Sequence, residues 1–207
     1  YFDKQYAGML PVLEQVLNER PDNLVAKRLY AYCLAKREDG EMCLQAIRHF
    51  IESTPEEHQI YQDFLCYAEQ LEANKNYNDA VVFYEKALQT DAKHQELNKE
   101  IADIFAKTNQ LDSAVVYYNR YIDSAGEASA EDLLKLGKCY YNMACRDSVV
   151  DEQKAELVKA DSLFAALSDK VPSSYVGYFW RARVNSMLDP ETLEGLAKPY
   201  YEKVVEI

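Results

Sequence analysis

Six glycines and six prolines among 207 residues leave little material for tight turns. This scarcity excludes a collagen-like or Gly/Pro-rich disordered chain, and it argues against a β-sandwich, whose many short strands each need a turn. Histidine is scarcer still. His49, His58 and His94 are the only three, and none lies in an HExxH pattern or pairs with a cysteine at metal-ligand spacing. The five cysteines, Cys33, Cys43, Cys66, Cys139 and Cys145, are odd in number and include no CxxC pair. They read as free small hydrophobes, and no disulfide framework or metal site is expected. No GxGxxG, GxxxxGK[ST] or GxSxG segment occurs, so the usual phosphate cradles and the nucleophile elbow are missing.

Positive charge is also in short supply. Lys and Arg total 23 against 35 Asp and Glu, a formal charge of −12. Phosphate backbones and anionic membranes meet a repulsive field, and no basic cluster overturns it locally, so nucleic acid is not an expected partner. No stretch approaches the ~18–20 apolar residues that a membrane-spanning helix needs, and no membrane insertion is expected in this segment. The first residue is Tyr rather than Met, so any targeting segment upstream would not be visible.

What is present is helix-forming material. Hydrophobic residues make up 48% of the chain and charged residues 28%. Ala, Leu, Glu, Lys and Gln, all good helix formers, are plentiful. The expected class is all-α.

Residues 77–90 read YNDAVVFYEKALQT and residues 111–124 read LDSAVVYYNRYIDS, so that Ala80, Val81, Val82 and Tyr84 fall on Ala114, Val115, Val116 and Tyr118. The offset is 34 residues. Ahead of the first copy, Phe64, Tyr67, Ala68 and Leu71 mark one apolar helix face, and Ile101, Ala102 and Phe105 mark it again ahead of the second. Ala68 precedes Ala80 by the same 12 positions that separate Ala102 from Ala114, and Ala31 from Cys43. Small residues at matched sites let two helices joined by a short turn pack closely. A later pair, in EDLLKLGKCYY and ADSLFAALSDKVP, offers Leu133, Leu136, Gly137 and Tyr140 against Ala160, Phe164 and Leu167.

This helix–turn–helix unit resembles the tetratricopeptide repeat (TPR) family, whose 34-residue pattern runs W-x₂-L-G-x₂-Y, then A-x₃-F, then A and P. Leu133 to Tyr140 match it most closely. The tryptophan slot is filled by Lys27, Phe64, Asn98, Leu133 and Tyr178 in turn, and the terminal Pro is replaced by Ala92 and Gly126 in two repeats. The resemblance implies a right-handed α-solenoid of antiparallel helix pairs, a TPR superhelix. The expected array is single: a half repeat at 6–20, repeats at 24–57, 61–94 and 95–128, a repeat with a longer helical hairpin at 130–174, and a last repeat at 175–207. In the fourth of these, Gly137 and Ala160 stand 23 apart instead of 12, which adds about three helical turns. In the last, Asp189 and Pro190 suit an N-cap and first helical position, while Pro199 is tolerable in a first turn. Pro11 follows Met9 as Pro199 follows Ala197, so the two ends echo each other. With no capping helix at either end, the chain is expected to be part of a longer array.

Sequence alone selects no acid/base pair, and the resemblance implies a non-enzymatic scaffold without cofactors that binds a peptide or protein surface in the groove of the first helices. Residues following the small position of each first helix are Tyr32, Glu69, Asp103, Lys138 and Arg183. A second row holds Arg28, Leu65, Lys99, Leu134 and Phe179. The middle of the groove is charged. Its later part is apolar, through Leu134, Tyr141, Val176, Phe179 and Met187, with Arg183 or Lys138 placed to meet a carboxylate. The same patch would equally serve as packing surface for a further repeat. In the chaperone-binding TPR subclass, Lys, Asn and Arg on successive first helices clamp a terminal carboxylate. The corresponding stretches here carry Arg28 and Tyr32, then Cys66, then Glu96 and Glu100, so no such clamp is expected. The alternative function is a small-molecule or glycan sensing or capture module of an envelope assembly, built around Trp180. The chain's ending and lengthened unit look similar to those of large exported bacterial TPR proteins, which favours an exported or periplasmic location.

Overall fold

The computed structural model describes residues 2–35, 40–146 and 150–207. The turn at 36–39 and residues 147–149 of the lengthened hairpin lie outside the described residues. The described chain is all-α and divides into two compact units, Tyr1–Leu97 and Asn98–Ile207.

The first unit holds α1 (Phe2–Glu19), α2 (Leu24–Ala35), α3 (Gly40–Ser53), a short 3-10 turn at Glu56–His58, α4 (Tyr61–Ala73) and α5 (Tyr77–Thr90). Phe64, Tyr67, Ala68 and Leu71 of α4 are buried, as are Ala80, Val81, Tyr84 and Ala87 of α5. Ala68 and Ala80 are both fully buried, which is what close helix approach through small residues requires. α1 begins nearer the start than the sequence suggests and runs through Pro11. The two prolines therefore occupy different positions, because Pro199 sits in the first turn of its helix.

The second unit holds all but the first residue of α6 (Leu97–Lys107), then α7 (Leu111–Ala125), α8 (Ala130–Arg146), α9 (Val150–Lys170), α10 (Tyr175–Leu188) and α11 (Lys198–Glu206). One buried cluster joins Ala102, Ala114 and Tyr118 to Leu136, Cys139 and Met143. Another joins Leu133, Tyr141 and Ala144 of α8 to Leu157, Ala160 and Phe164 of α9 and Val184 of α10. α9 has 21 residues where α5 has 14 and α7 has 15.

The 34-residue period is written into the backbone as well as the side chains. Lys75 and Asn109, 34 apart, both adopt left-handed conformations, with φ of 63° and 60°. After α4, the N–H of Asn76 donates to the carbonyl of Leu71 at 2.8 Å and that of Lys75 to Glu72 at 2.8 Å. After α6, the N–H of Gln110 donates to Phe105 at 2.8 Å and that of Asn109 to Ala106 at 3.1 Å. Both are Schellman closures, which satisfy the last free carbonyls of a helix and reverse the chain in three residues.

The turn after α10 departs from this scheme. Asp189 and Pro190 do not open a helix: α10 ends at Leu188, and α11 starts only at Lys198. The physical reason is the Asp189 carboxylate. It accepts the backbone N–H groups of Leu193 (2.9 Å), Glu194 (3.0 Å), Gly195 (2.7 Å) and Leu196 (3.4 Å). The side chain that could have capped a helix instead gathers a loop around itself.

Candidate binding face on α8 and α10

The groove residues named from the sequence have different fates. Tyr32 and Glu69 belong to the first unit. The Tyr32 hydroxyl donates to Asp63, a carboxylate with no exposed surface. Asp63 also receives Arg28 Nε at 2.9 Å and Nη2 at 3.1 Å, and the Ile60 N–H at 2.9 Å. Burial and the donated hydrogen bond push the Tyr32 phenol well above its ordinary range. Tyr32 and Arg28 thus tie α2 to the first turn of α4. Glu69 is half-buried on α4.

Lys99 and Asp103 are similarly engaged in the second unit. Lys99 Nζ lies 2.8 Å from Asp132 Oδ1. The other oxygen of Asp132 accepts the Ser129 N–H at 2.9 Å and its hydroxyl at 2.6 Å. Burial favours the neutral acid, but Lys99 and Ser129 together hold Asp132 below its ordinary carboxylate range. Asp103 accepts from the Tyr118 hydroxyl and from Lys135 Nζ, the latter at 2.7 Å. Arg28–Asp63 and Lys99–Asp132 are equivalent in form. In each, a cation from one first helix reaches a buried Asp that caps the next.

Leu134, Lys138, Tyr141, Phe179 and Arg183 come together on α8 and α10. Arg183 Nη2 donates to the Tyr141 hydroxyl at 3.1 Å. Its guanidinium lies 5.1 Å from the Tyr141 ring centre, 5.0 Å from Trp180 and 6.0 Å from Phe179. Lys138 Nζ approaches Trp180 at 5.1 Å. The rings pack on one another: Tyr141 and Phe179 each meet Trp180 edge-on, at 5.3 and 5.9 Å, and Phe164 stacks beneath it at 5.5 Å. Tyr141 is buried and Leu134 half-buried against the same cluster, whereas Arg183 is exposed. Burial raises the Tyr141 phenol above its ordinary value. Trp180 is the central residue of this group. The sequence puts Trp180 at the centre of the alternative capture site and not among the groove residues, although its place one residue after Phe179 on a helix is the signal that joins it to them.

The rest of the chain offers less. In the first unit a cavity of about 280 Å³ is lined by Leu17, Lys27, Tyr30, His49 and Phe50, among others, and by none of the predicted groove residues. Among the described residues no group of His, Cys, Asp or Glu side chains converges as metal ligands would. No described helix is long and apolar enough to cross a membrane.

Residues 71–136 match the tetratricopeptide repeat family model. The C-terminal part of a TPR repeat-containing protein from Cytophaga hutchinsonii is 26% identical, with a TM-score of 0.72 over 98% of this chain and 74% of that one. The chain carries the tetratricopeptide-repeat fold. Two further TPR-like structures share it at lower identity. MamA from Desulfovibrio magneticus RS-1 is 17% identical, with a TM-score of 0.64 over 89% of this chain and 94% of that one. YrrB, described as a TPR protein with an unusual peptide-binding site, is also 17% identical, with a TM-score of 0.67 over 94% of this chain and 91% of that one. Among curated proteins none matches the sequence significantly. Within this TPR fold, α6, α8 and α10 are first helices of helix pairs. The aromatic and cationic group therefore lies on two successive first helices.

Proposed function

We propose that this chain is a non-catalytic protein-interaction module that binds a peptide or protein segment in the groove along α8 and α10. The observation that carries the reading is the convergence of Leu134, Phe179 and Trp180 with Lys138 and Arg183 on two successive first helices. Aromatic residues flanked by Arg are the composition of binding hot spots, where a rigid ring supplies contact area at low entropic cost. The peptide-binding site of YrrB gives the same fold a precedent for such a role. Tyr32, Lys99 and Asp103 contribute less to it, because they are engaged in ties between helices.

The test compares two baits in affinity capture from the source organism: the native chain and a Phe179→Ala/Arg183→Glu variant. Tyr141 is left intact because it is buried in the α8–α9 core. A protein held by the first bait and lost by the second, with helical circular dichroism unchanged, is the expected result. Identical protein sets on both baits would remove α8 and α10 from the binding function.

A further inference from the structure

In a chain with a net charge of −12, the face of α8 and α10 is the reverse of the average. From Leu133 to the end of α8, and along the whole of α10, there is no Asp or Glu, while Lys135, Lys138, Arg146, Arg181 and Arg183 all occur there. Three of these five cations are matched by carboxylates from other helices, and Lys135 also by Glu131 in the first turn of α8 itself. Lys135 meets Asp103 and Glu131 at 2.7 and 2.8 Å, Arg146 meets Asp112 at 3.3 Å, and Arg181 meets Asp161 at 3.0 Å. Lys138 and Arg183 have no carboxylate within ion-pair distance among the described residues. They instead share one indole, at 5.1 and 5.0 Å from Trp180.

Two like charges over one ring repel each other, and the ring quadrupole offsets this only in part. A carboxylate placed between them removes the repulsion and gains charge-assisted hydrogen bonds from both. The Tyr141 hydroxyl, accepting from Arg183 at 3.1 Å, fixes the guanidinium in place beforehand, which lowers the cost of binding. Beside the two cations, Leu134, Val176, Phe179 and Met187 offer half-buried apolar surface.

We infer that the α8–α10 face recognises an acidic side chain, Asp or Glu, flanked by apolar residues within a peptide segment, with the carboxylate held between Lys138 and Arg183. This rests on the reading of the face as a peptide-binding groove and adds the charge of its ligand. The chain's single tryptophan lies at the centre of the site, so its emission reports occupancy directly.

Three synthetic peptides are titrated against the intact chain while Trp180 fluorescence is followed: acetyl-ALELA-amide, its neutral counterpart acetyl-ALQLA-amide, and ALQLA with a free C-terminal carboxylate. The acidic blocked peptide is expected to bind about tenfold more tightly than the neutral one, the worth of one charge-assisted contact. Lys138→Gln and Arg183→Gln should each erase that preference without altering the circular dichroism, and added salt should weaken it. Equal binding of the glutamate and glutamine peptides overturns the inference and leaves the peptide-binding reading standing. Preference for the free C-terminus over the internal glutamate overturns it in favour of terminal-carboxylate recognition. No fluorescence change with any of the three, up to millimolar concentration, overturns it together with the groove reading at this face.

Discussion

A Cβ added at Gly137 would fall 2.6 Å from Cε1 and 2.8 Å from Cζ of Phe164, a ring with no exposed surface. Gly137 is therefore glycine for space, not for backbone freedom: it lies inside α8 in ordinary helical conformation. Gly→Ala in a helix gains about 1 kcal/mol of propensity, but overpacking a close-packed core costs about 1–3 kcal/mol. Gly137→Ala is predicted to lower stability modestly. Gly177→Ala is predicted to lower it more, because its Cβ would meet Ser168 Oγ and the Ser168 backbone nitrogen, the latter at 2.9 Å, and backbone yields less readily than a ring. Urea denaturation of the two variants measures both. A stabilised Gly177→Ala would contradict the α9–α10 packing described above.

The small residues of the earlier helix pairs make a parallel prediction. Ala80 and Ala114 have no exposed surface, and each lies at the point of closest approach expected from its place in the 34-residue period. Replacing either with Leu forces three extra carbons into that contact and is predicted to cost about 1–3 kcal/mol. Thermal melts of Ala80→Leu and Ala114→Leu test this, and unchanged midpoints in both would show that the register of the helix pairs is misplaced.

How much of this was legible in the sequence follows from the same residues. The all-α class was, because apolar positions at helical spacing such as Phe64, Tyr67, Ala68 and Leu71 admit few other structures, and because the echo at Ala80 and Ala114 points to a repeated helix pair. The polar fates were not. Spacing places Tyr32, Lys99 and Asp103 on first helices, but it does not say that Tyr32 donates to Asp63 or that Lys99 reaches Asp132. Those partners lie about one repeat away in sequence, and their pairing depends on how consecutive helices stack. Asp189 is the same lesson in a turn. The residue type that caps a helix N-terminus also closes a loop on its own backbone N–H groups, and only the fold decides between them.

Acid stability should carry the mark of Asp132. Its folded pKa is lowered, with burial opposed by Lys99 and Ser129. A group with a depressed folded pKa gives stability that is present above its unfolded pKa, about 3.9 for Asp, and that is lost as pH falls through the lower folded value. Asp132→Asn is therefore predicted to be less stable than the native chain at neutral pH, with the difference narrowing as pH drops below about 4. Denaturant midpoints measured at pH 7 and in steps below pH 4 test this, and a gap that stays constant over the series would mean that Asp132 has no such linkage.

The cysteines make the last prediction, since the sequence reads them as free small hydrophobes and the structure distinguishes which of them is exposed. Cys33, Cys43, Cys66 and Cys139 are buried, and Cys145, in the last turn of α8, is exposed. The thiolate is the reactive form. Burial pushes the Cys139 thiol up to about 11 and raises Cys33 as well, so both access and ionisation protect these two at neutral pH, while burial restricts access to Cys43 and Cys66. One equivalent of a thiol reagent should react quickly with the native chain, and the other four only at the rate of unfolding. Cys145 Sγ lies 3.9 Å from Met187 Sδ, at the apolar end of the α8–α10 face. Labelling Cys145 with a bulky maleimide is thus predicted to weaken peptide binding while leaving the melting temperature nearly unchanged. Tryptic mapping identifies the fast site. A second fast thiol within α2, α3 or α4 would show that the first unit opens on the reaction timescale, and full binding by the labelled chain would place the ligand away from Met187.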